Sequence, residues 1–385
     1  MGNDLSLLIL AKYGRSGPSS RYRILQYIPY LESHGFSCTV QSLHSKDYLE
    51  TVFSGRGKSG LYYAGRLLAR AQASARATHY SAVFVQKELA PYLPPCLELM
   101  LSMMRSKVVY DIDDAIFLQY GESRNFLVRL LLGRKIETAI RRSTVVLAGN
   151  SFLKEYAARY NRRTVYFPTV VDTSKYAAAR AAREGGIPPV GRARSDGLAS
   201  GKNGEIPVVG WIGSPETVRF LEEKADVLRA VSRISPFELR VIGAPSSAIS
   251  GLEAKCVPWS EESEALELAR CDVGIMPLPS SDWIKGKCGL KLLQYMASGL
   301  PVVSSSGGGA DSIVEHGVNG FIAVSDDEWR LHLVSLLENP ELRNLMGRQG
   351  LARVEERFSL AVWAPRMAEI LTKCIRGEPV EEMEW

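Results

Sequence analysis

The sequence predicts an α/β protein of two doubly wound (Rossmann-like) domains that face each other across a cleft. Three observations carry this. Short β-branched runs alternate with longer amphipathic segments, the pattern of a parallel sheet layered with helices. The rhythm stops at Ala177 and restarts at Pro207. A chain of 385 residues with 46% hydrophobic content is also more than one ordinary core holds.

In the first half, Ser6–Leu10 reads as the opening strand. The loop KYGRSGPSS leads to a helix over about 20–34, with Gly35 suited to its C′ position. Strands follow at Ser37–Gln41, Ala82–Gln86, Val108–Asp111, Thr144–Ala148 and Thr164–Phe167, with helices near 60–77, 93–104, 123–142 and 151–160. The stretch 177–205 is rich in Gly, Ala, Arg and Ser and keeps no strand pattern, so it reads as a linker or mobile insertion. Then PVVGWIG is a strand, and Ser214–Pro215 match the N-cap and N1 preferences of a following helix. Strands at Leu239–Ile242, Asp272–Met276, Pro301–Ser304 and Gly320–Val324 alternate with helices. One helix starts at Ser260, with Glu261, Glu262 and Glu264 where the helix dipole favours acids. The chain closes in an amphipathic helix near 360–375. The expected divisions are 1–176, 177–205, 206–358 and 359–385.

No apolar run approaches the roughly 18 to 20 residues of a membrane span. The start, MGNDLSLLILAKYGRSG, lacks a basic n-region, so no signal peptide is expected. The six cysteines form no CxxC pair and no metal spacing with His, which reads as reduced thiols in a cytoplasmic protein. The net charge of +5 is unevenly spread. Arg66, Arg70 and Arg76 punctuate one helical stretch; Arg124, Arg129, Arg134, Lys135, Arg141 and Arg142 punctuate another. Such faces either meet solvent or dock on anionic lipid headgroups at the inner face of the plasma membrane. Nucleic acid is not expected, because no fold signature or interleaved aromatic pattern supports it.

The most informative stretch is 271–306, CDVGIMPLPSSDWIKGKCGLKLLQYMASGLPVVSSS. A buried strand enters a polar loop, a helix opens near Cys288, and a second strand follows. Lys285, Gly286 and Lys287 sit in the loop and Lys291 one turn on. Helix-start N–H groups and ammonium groups outside the carboxyl end of a parallel strand favour a phosphate-bearing ligand. A second phosphate candidate is GRSGPSSRYR at 14–23. Gly14 and Gly17 permit close backbone approach, Ser19 or Ser20 can cap a helix, and Arg21 and Arg23 can grip a phosphate of donor or acceptor. The same arginines also read as ordinary surface. In DIDD at 111–114, Asp-x-Asp offers hard oxygen ligands for Mg²⁺. The two-domain pattern speaks against a metal, and none is expected.

The second half resembles the C-terminal domain of family 4 glycosyltransferases, retaining enzymes of the GT-B fold. The resemblance lies in DVGIMPL, GKCGLKLLQYMASGLPVVSSSGGG and DSIVEHGVNGFIAV. Upstream, YDIDDAIF, LAGNSFLKEYA and PTVVD resemble a cell-envelope polysaccharide subgroup with a GKCxxK/DIDD pattern. The resemblance implies a metal- and cofactor-independent enzyme. The donor, a nucleoside-diphosphate-sugar, would lie mainly on the second domain and the acceptor mainly on the first, with the C-terminal helix crossing back to the first.

The family's two signature glutamates, with seven residues between them, fall on Gly286 and Gln294. Both carboxylates are missing, although the Gln294 amide can still hydrogen-bond a ribose. The family's phosphate-binding Arg and Lys are missing too, since the corresponding stretch is GWIGSPET. Lys285, Lys287 and Lys291, with Gly17, Gly213 and Ser214, are therefore expected at the diphosphate, where charge accumulates on the leaving group. Gly307, Gly308 and Gly309 are expected at the donor sugar. Asp113 falls near the position of a family His that faces the sugar, and is expected to be catalytic.

The expectation is transfer of a sugar to a hydroxyl of a polysaccharide or lipid-linked acceptor. Two alternatives are a non-catalytic nucleotide-sugar-binding protein, which the lost carboxylates suit, and a GT-B nucleotide-sugar epimerase.

Overall fold

The computed structural model describes residues 5–45, 47–53, 55–184, 206–244 and 254–380. The chain divides into two compact units. The first takes the residues up to Val170, Lys285–Cys288 and the chain from Leu360; the second takes Val171–Ile284 and Gly289–Ser359.

The first unit is built on six parallel strands: β1 (Leu5–Ala11), β2 (Phe36–Ser42), β3 (Ala82–Gln86), β4 (Val108–Ile112), β5 (Val145–Ala148) and β6 (Thr164–Tyr166). Their order is β2-β1-β3-β4-β5-β6. β3, β4 and β5 are apolar but for Gln86 and Asp111 because helices cover both their faces, and every residue in them is buried. Leu7, Ile9, Phe84, Val109 and Leu147 form one core with Trp363, Met367 and Leu371 of the C-terminal helix Leu360–Arg376. Trp363 meets Phe167 edge-on, with ring centroids 4.9 Å apart. Truncating so buried a tryptophan to alanine costs about 3–5 kcal/mol.

The second unit repeats the plan with β7 (Val208–Ile212), β8 (Glu238–Ile242), β9 (Ala254–Val257), β10 (Val273–Met276), β11 (Val302–Ser305) and β12 (Gly320–Ala323), ordered β12-β11-β10-β7-β8-β9. Here Val209, Trp211, Leu239, Ile275 and Val303 pack with Trp329 and Leu333. The strand order reverses once in each sheet, between β1 and β3 in the first and between β7 and β10 in the second. These switch points are where an open parallel sheet leaves a crevice at its carboxyl edge.

Several local expectations are corrected. The helix expected over 20–34 is three pieces: Pro18–Arg23, a 3₁₀ turn at Leu25–Tyr27 and Ile28–Ser33. Ile24 leaves helical geometry at φ −145°, and Pro29 sits in the first turn of the last piece, where its missing N–H costs nothing. The stretch 123–142 splits at Gly133 into Phe126–Leu132 and Lys135–Arg142. The helix expected from Ser214 starts instead at Arg219, because Ser214–Thr217 close a turn: Thr217 N donates to Ser214 O, and Ser214 N to Thr217 Oγ1. The helix expected from Ser260 begins at Glu264. Residues 177–184 of the expected linker are helical, within Ser174–Glu184. Tyr176 from this helix donates to Glu264, and Arg180 to Ala297 O. The rest of that segment, 185–205, lies outside the described residues. Among the described residues no helix is long and apolar enough to cross a membrane.

Candidate active site

At the second unit's switch point, the Ile212 N–H donates to the Tyr295 hydroxyl, which donates to Ile275 O, both at 3.0 Å. One buried side chain of the helix Leu290–Ala297 thus ties β7 to β10. Gly213 follows directly. A Cβ there would come within 2.4 Å of the Trp211 ring and 2.7 Å of Lys291 Nζ. The bare glycine therefore lets the Lys291 ammonium lie against the backbone, 4.2 Å from the Trp211 ring centroid. Gly289 precedes the helix in left-handed geometry (φ 64°), and no side chain caps the helix start. The positive end of that helix and Lys291 together make an anion-attracting pole. Gln294 lies one turn further on and is only 4% exposed.

Gly307, Gly308 and Gly309 all have left-handed backbones, at φ 85°, 60° and 83°. That turn needs glycine. The Gly307 N–H, expected to face the sugar, donates instead to Asp311 Oδ2 at 3.0 Å. Ser306 Oγ donates to the other oxygen.

The first unit gathers carboxylates at the carboxyl edge of β1, β3 and β4. Asp111, fully buried, receives a bidentate pair of bonds from Arg23 Nε and Nη2, and Arg23 Nη1 donates to Phe167 O at 2.8 Å. Burial works against the Arg23 charge, but Asp111 outweighs it and keeps the guanidinium protonated. Asp113 receives Ser19 Oγ at 2.5 Å and pairs with Lys87 Nζ at 3.3 Å. Burial alone would raise this carboxyl; Lys87, Arg23 and Ser19 reverse the effect and hold it below the usual carboxylate range. A polar chain supports it: Ser20 Oγ donates to Gln86 Oε1, and Gln86 Nε2 donates to Ser19 Oγ. Gly17 caps the helix start, and its missing side chain makes room for Tyr13. Ser19 and Ser20 are thus inside the helix with their hydroxyls in this network, not at its cap.

Lys285–Cys288 belongs to the same unit. Asn150 Nδ2 donates to Lys285 O and Lys287 O, both at 2.8 Å, while its Oδ1 caps the next helix by accepting from Leu153 N. Lys287 Nζ lies 2.9 Å from Asp114 Oδ2. Cys288 Sγ donates to Asp113 O at 3.3 Å, and burial pushes this thiol up to about 12. Gly286 packs so closely that a Cβ would stand 2.6 Å from Ala115 N.

The expected phosphate candidates therefore separate. Gly213 and Lys291 come together, with Ser214 next in chain. Lys287 is paired with Asp114, and Lys285 is exposed. Arg21 and Arg23 are 2% and 1% exposed, and Arg21 donates to Arg15 O. Both are structural, and the expectation that they grip a phosphate is corrected. Sequence reasoning missed Lys87, Gln86 and Asn150. Only Asn150 left a signal, as an N-cap residue before SFLKEYA.

Three comparisons bear on this geometry. Residues 206–339 match the family model described as Glycosyl transferases group 1. That match lies in the C-terminal half of the chain and covers under half of it. Within the matched residues lie Gly213, Lys291, Gln294 and the glycine triplet. Over 89 residues the chain is 34% identical to D-inositol 3-phosphate glycosyltransferase of Thermobispora bispora, covering 23% of this chain and 21% of that one. Over 116 residues it is 32% identical to a GDP-mannose-dependent monoacylated alpha-(1-6)-phosphatidylinositol monomannoside mannosyltransferase of Corynebacterium glutamicum, covering 29% of each. The matched part is thus under a third of these curated relatives' lengths. The solved structure of Anabaena HepE with UDP-glucose superposes with a TM-score of 0.66 over 96% of this chain and 99% of that one. At 15% identity this shows the fold alone, and that fold is GT-B.

Proposed function

We propose that the protein is a retaining, metal-independent glycosyltransferase that moves a sugar from a nucleoside-diphosphate-sugar to a hydroxyl of a polysaccharide or lipid-linked acceptor. The observation that carries this reading is Lys291 lying against Gly213, inside the segment that matches the glycosyltransferase family. In this reading Lys291, Gly213 and Ser214 hold the diphosphate and Gln294 the ribose. Gly308 and Gly309 approach the donor sugar. Lys291 offsets the charge that grows on the leaving diphosphate as its bond to the anomeric carbon breaks. Asp113 acts at the reacting sugar. A nucleotide-sugar donor is supported by UDP-glucose in HepE, and a lipid-linked acceptor by the lipid named for the Corynebacterium relative.

Membrane contact belongs to the same proposal, with a narrower set of residues than the sequence offered. Arg70 and Lys135 are buried, Arg70 bonding Ala11 O and Lys135 bonding Glu88; Arg66 bonds Leu43 O. Arg76, Arg124, Arg129, Arg134, Arg141 and Arg142 remain exposed, and Arg124, Arg129 and Arg134 of these lie around the helix Phe126–Leu132.

Calorimetry of the purified chain with UDP, GDP and ADP tests the donor reading, followed by turnover of the matching glucose or mannose donor. Heat from one nucleotide, with weaker binding in Lys291→Ala, supports it. No heat from any of the three overturns it. Binding with no donor hydrolysis or transfer points to the non-catalytic alternative instead.

A further inference from the structure

Lys87 stands directly after β3, at the first unit's switch point, in a left-handed backbone (φ 62°) that a non-glycine residue adopts only under strain. The surroundings impose that conformation. The Lys87 N–H donates to Asp111 O at 2.9 Å, and its carbonyl accepts from the Tyr110 hydroxyl. The resulting turn puts Nζ 3.3 Å from Asp113 Oδ1 and 3.6 Å from Asp114 Oδ2. Asp114 also has Lys287, whereas Asp113 has Lys87 as its one ion-pair partner among the described residues. Strain stored beside a partly buried ion pair is a pointer to function.

We propose that Lys87 is a positioning residue that locks the Asp113 carboxylate in place as a fixed anion. This rests on the assignment of Asp113 to the reacting sugar. Ser19 Oγ donates to Asp113 Oδ2, while Oδ1 makes no hydrogen bond among the described residues and has the Lys87 ammonium 3.3 Å away as its counter-charge. The other charged or titratable groups around it are Lys12 after β1, Arg23 on the first helix, Asp111 and Asp114 on β4 and its loop, and Lys287 and Cys288 on the packed loop. Burial works against the Lys87 charge, but Asp113 and Asp114 outweigh it and the ammonium persists. A carboxylate held this firmly ionised is a weak proton acceptor, because an effective general base has a pKa near the working pH. Asp113 then serves by stabilising positive charge on the sugar or by orienting a hydroxyl.

The test uses full-length protein labelled with carboxyl-¹³C aspartate, the Asp113 signal being assigned through Asp113→Asn. In Lys87→Met the Asp113 titration midpoint is expected to rise by at least about one pH unit, and Lys87→Arg is expected to restore it. Lys87→Gly suits the left-handed backbone and carries the titration if the Met variant does not fold. With UDP-glucose as donor, kcat in Lys87→Met is expected to fall at least about 10-fold with KM within about threefold of wild type. An unmoved Asp113 midpoint overturns the proposal, as does a moved midpoint with unchanged kcat. If wild type turns over no donor, the glycosyltransferase reading is what has failed, and the titration still decides whether Lys87 controls Asp113.

Discussion

The Lys291 ammonium lies 4.2 Å from the centroid of the Trp211 ring, at the edge of the strand pair where the second sheet reverses. The indole fixes a flexible four-carbon side chain before any ligand arrives, so less ordering entropy opposes binding. Replacing Lys291 with Ala removes the charge, and Trp211→Leu keeps the charge but removes the platform together with part of the core packing. Charge-assisted hydrogen bonds contribute about 1.5–3 kcal/mol, so Lys291→Ala should weaken UDP binding about 10- to 100-fold. Trp211→Leu should weaken it less. Titration calorimetry on both variants measures the difference, and an equal loss in the two would contradict the platform role.

Gly286 offers a sharper contrast between family pattern and packing. The family carries a glutamate there, so Gly286→Glu looks like a restoration of activity. The structure argues against that. The new Cβ would meet Ala115 N at 2.6 Å, and backbone cannot yield as a side-chain tip can. Overpacking of this kind costs about 1–3 kcal/mol. We expect a lower denaturation midpoint and no gain in donor turnover; a gain would show that the loop repacks.

Arg23 and Asp111 form a pair with both members at most 1% exposed. Arg23→Met leaves the Asp111 carboxylate and the Phe167 carbonyl without their partner, and breaking such a pair costs about 3–5 kcal/mol. The double change Arg23→Met with Asp111→Leu should recover much of this, because no buried charge is left over. Urea denaturation of the two variants tests the order. A double variant no more stable than the single would show that the Phe167 bond, not the charge, dominates.

The sequence made the layers legible where burial is complete and the chain short. AVFVQ, VVYDI and VVGWI are apolar but for Gln86 and Asp111, and such short, nearly unbroken runs have few other solutions. β9, AKCV, was not legible, because an edge strand with an exposed lysine has neither a buried run nor a strict alternation. The same division holds at the site. Gly213 and Lys291 could be read locally, from a glycine after a strand and a lysine in a helix's first turn. Arg23 could not, since its role depends on Asp111, which only the sheet order brings beside it. Nor could Lys87: nothing in QKEL announces a left-handed turn.

His44 gives the chain a pH signature. It is 7% exposed and stacked on Tyr48 at 3.8 Å. Burial lowers its pKa from 6.5 to about 4, with Lys12, Arg66 and Arg70 adding repulsion. The unfolded chain therefore binds a proton at His44 that the folded chain refuses. Stability from this residue is complete above the unfolded pKa of 6.5 and is lost as pH falls toward about 4. One such proton gives a slope of at most about 1.4 kcal/mol per pH unit. Thermal denaturation across this window should show the slope in wild type and lose it in His44→Phe. A slope that survives the substitution would assign it to other groups.

The helix Phe126–Leu132 leaves Phe126, Leu127, Leu130 and Leu131 between 61% and 65% exposed. Only Leu132 on this helix is fully buried. So many large apolar side chains on two turns, with Arg124, Arg129 and Arg134 exposed around them, make an apolar patch rimmed by cations. Water is a poor partner for it. An anionic bilayer surface satisfies both parts, the acyl boundary taking the side chains and the headgroups the guanidiniums. The two contributions separate experimentally. Sedimentation with phosphatidylglycerol vesicles should fall at least about 10-fold when the four apolar residues become Ser, since each buries part of a contribution of about 1.5–3 kcal/mol. Replacing the three arginines with Gln should abolish the preference for phosphatidylglycerol over phosphatidylcholine and its sensitivity to salt. Neither set should move the denaturation midpoint much, because exposed changes typically stay within about 0.5 kcal/mol. Equal binding of wild type and the Ser variant to anionic vesicles would remove this helix from the membrane contact.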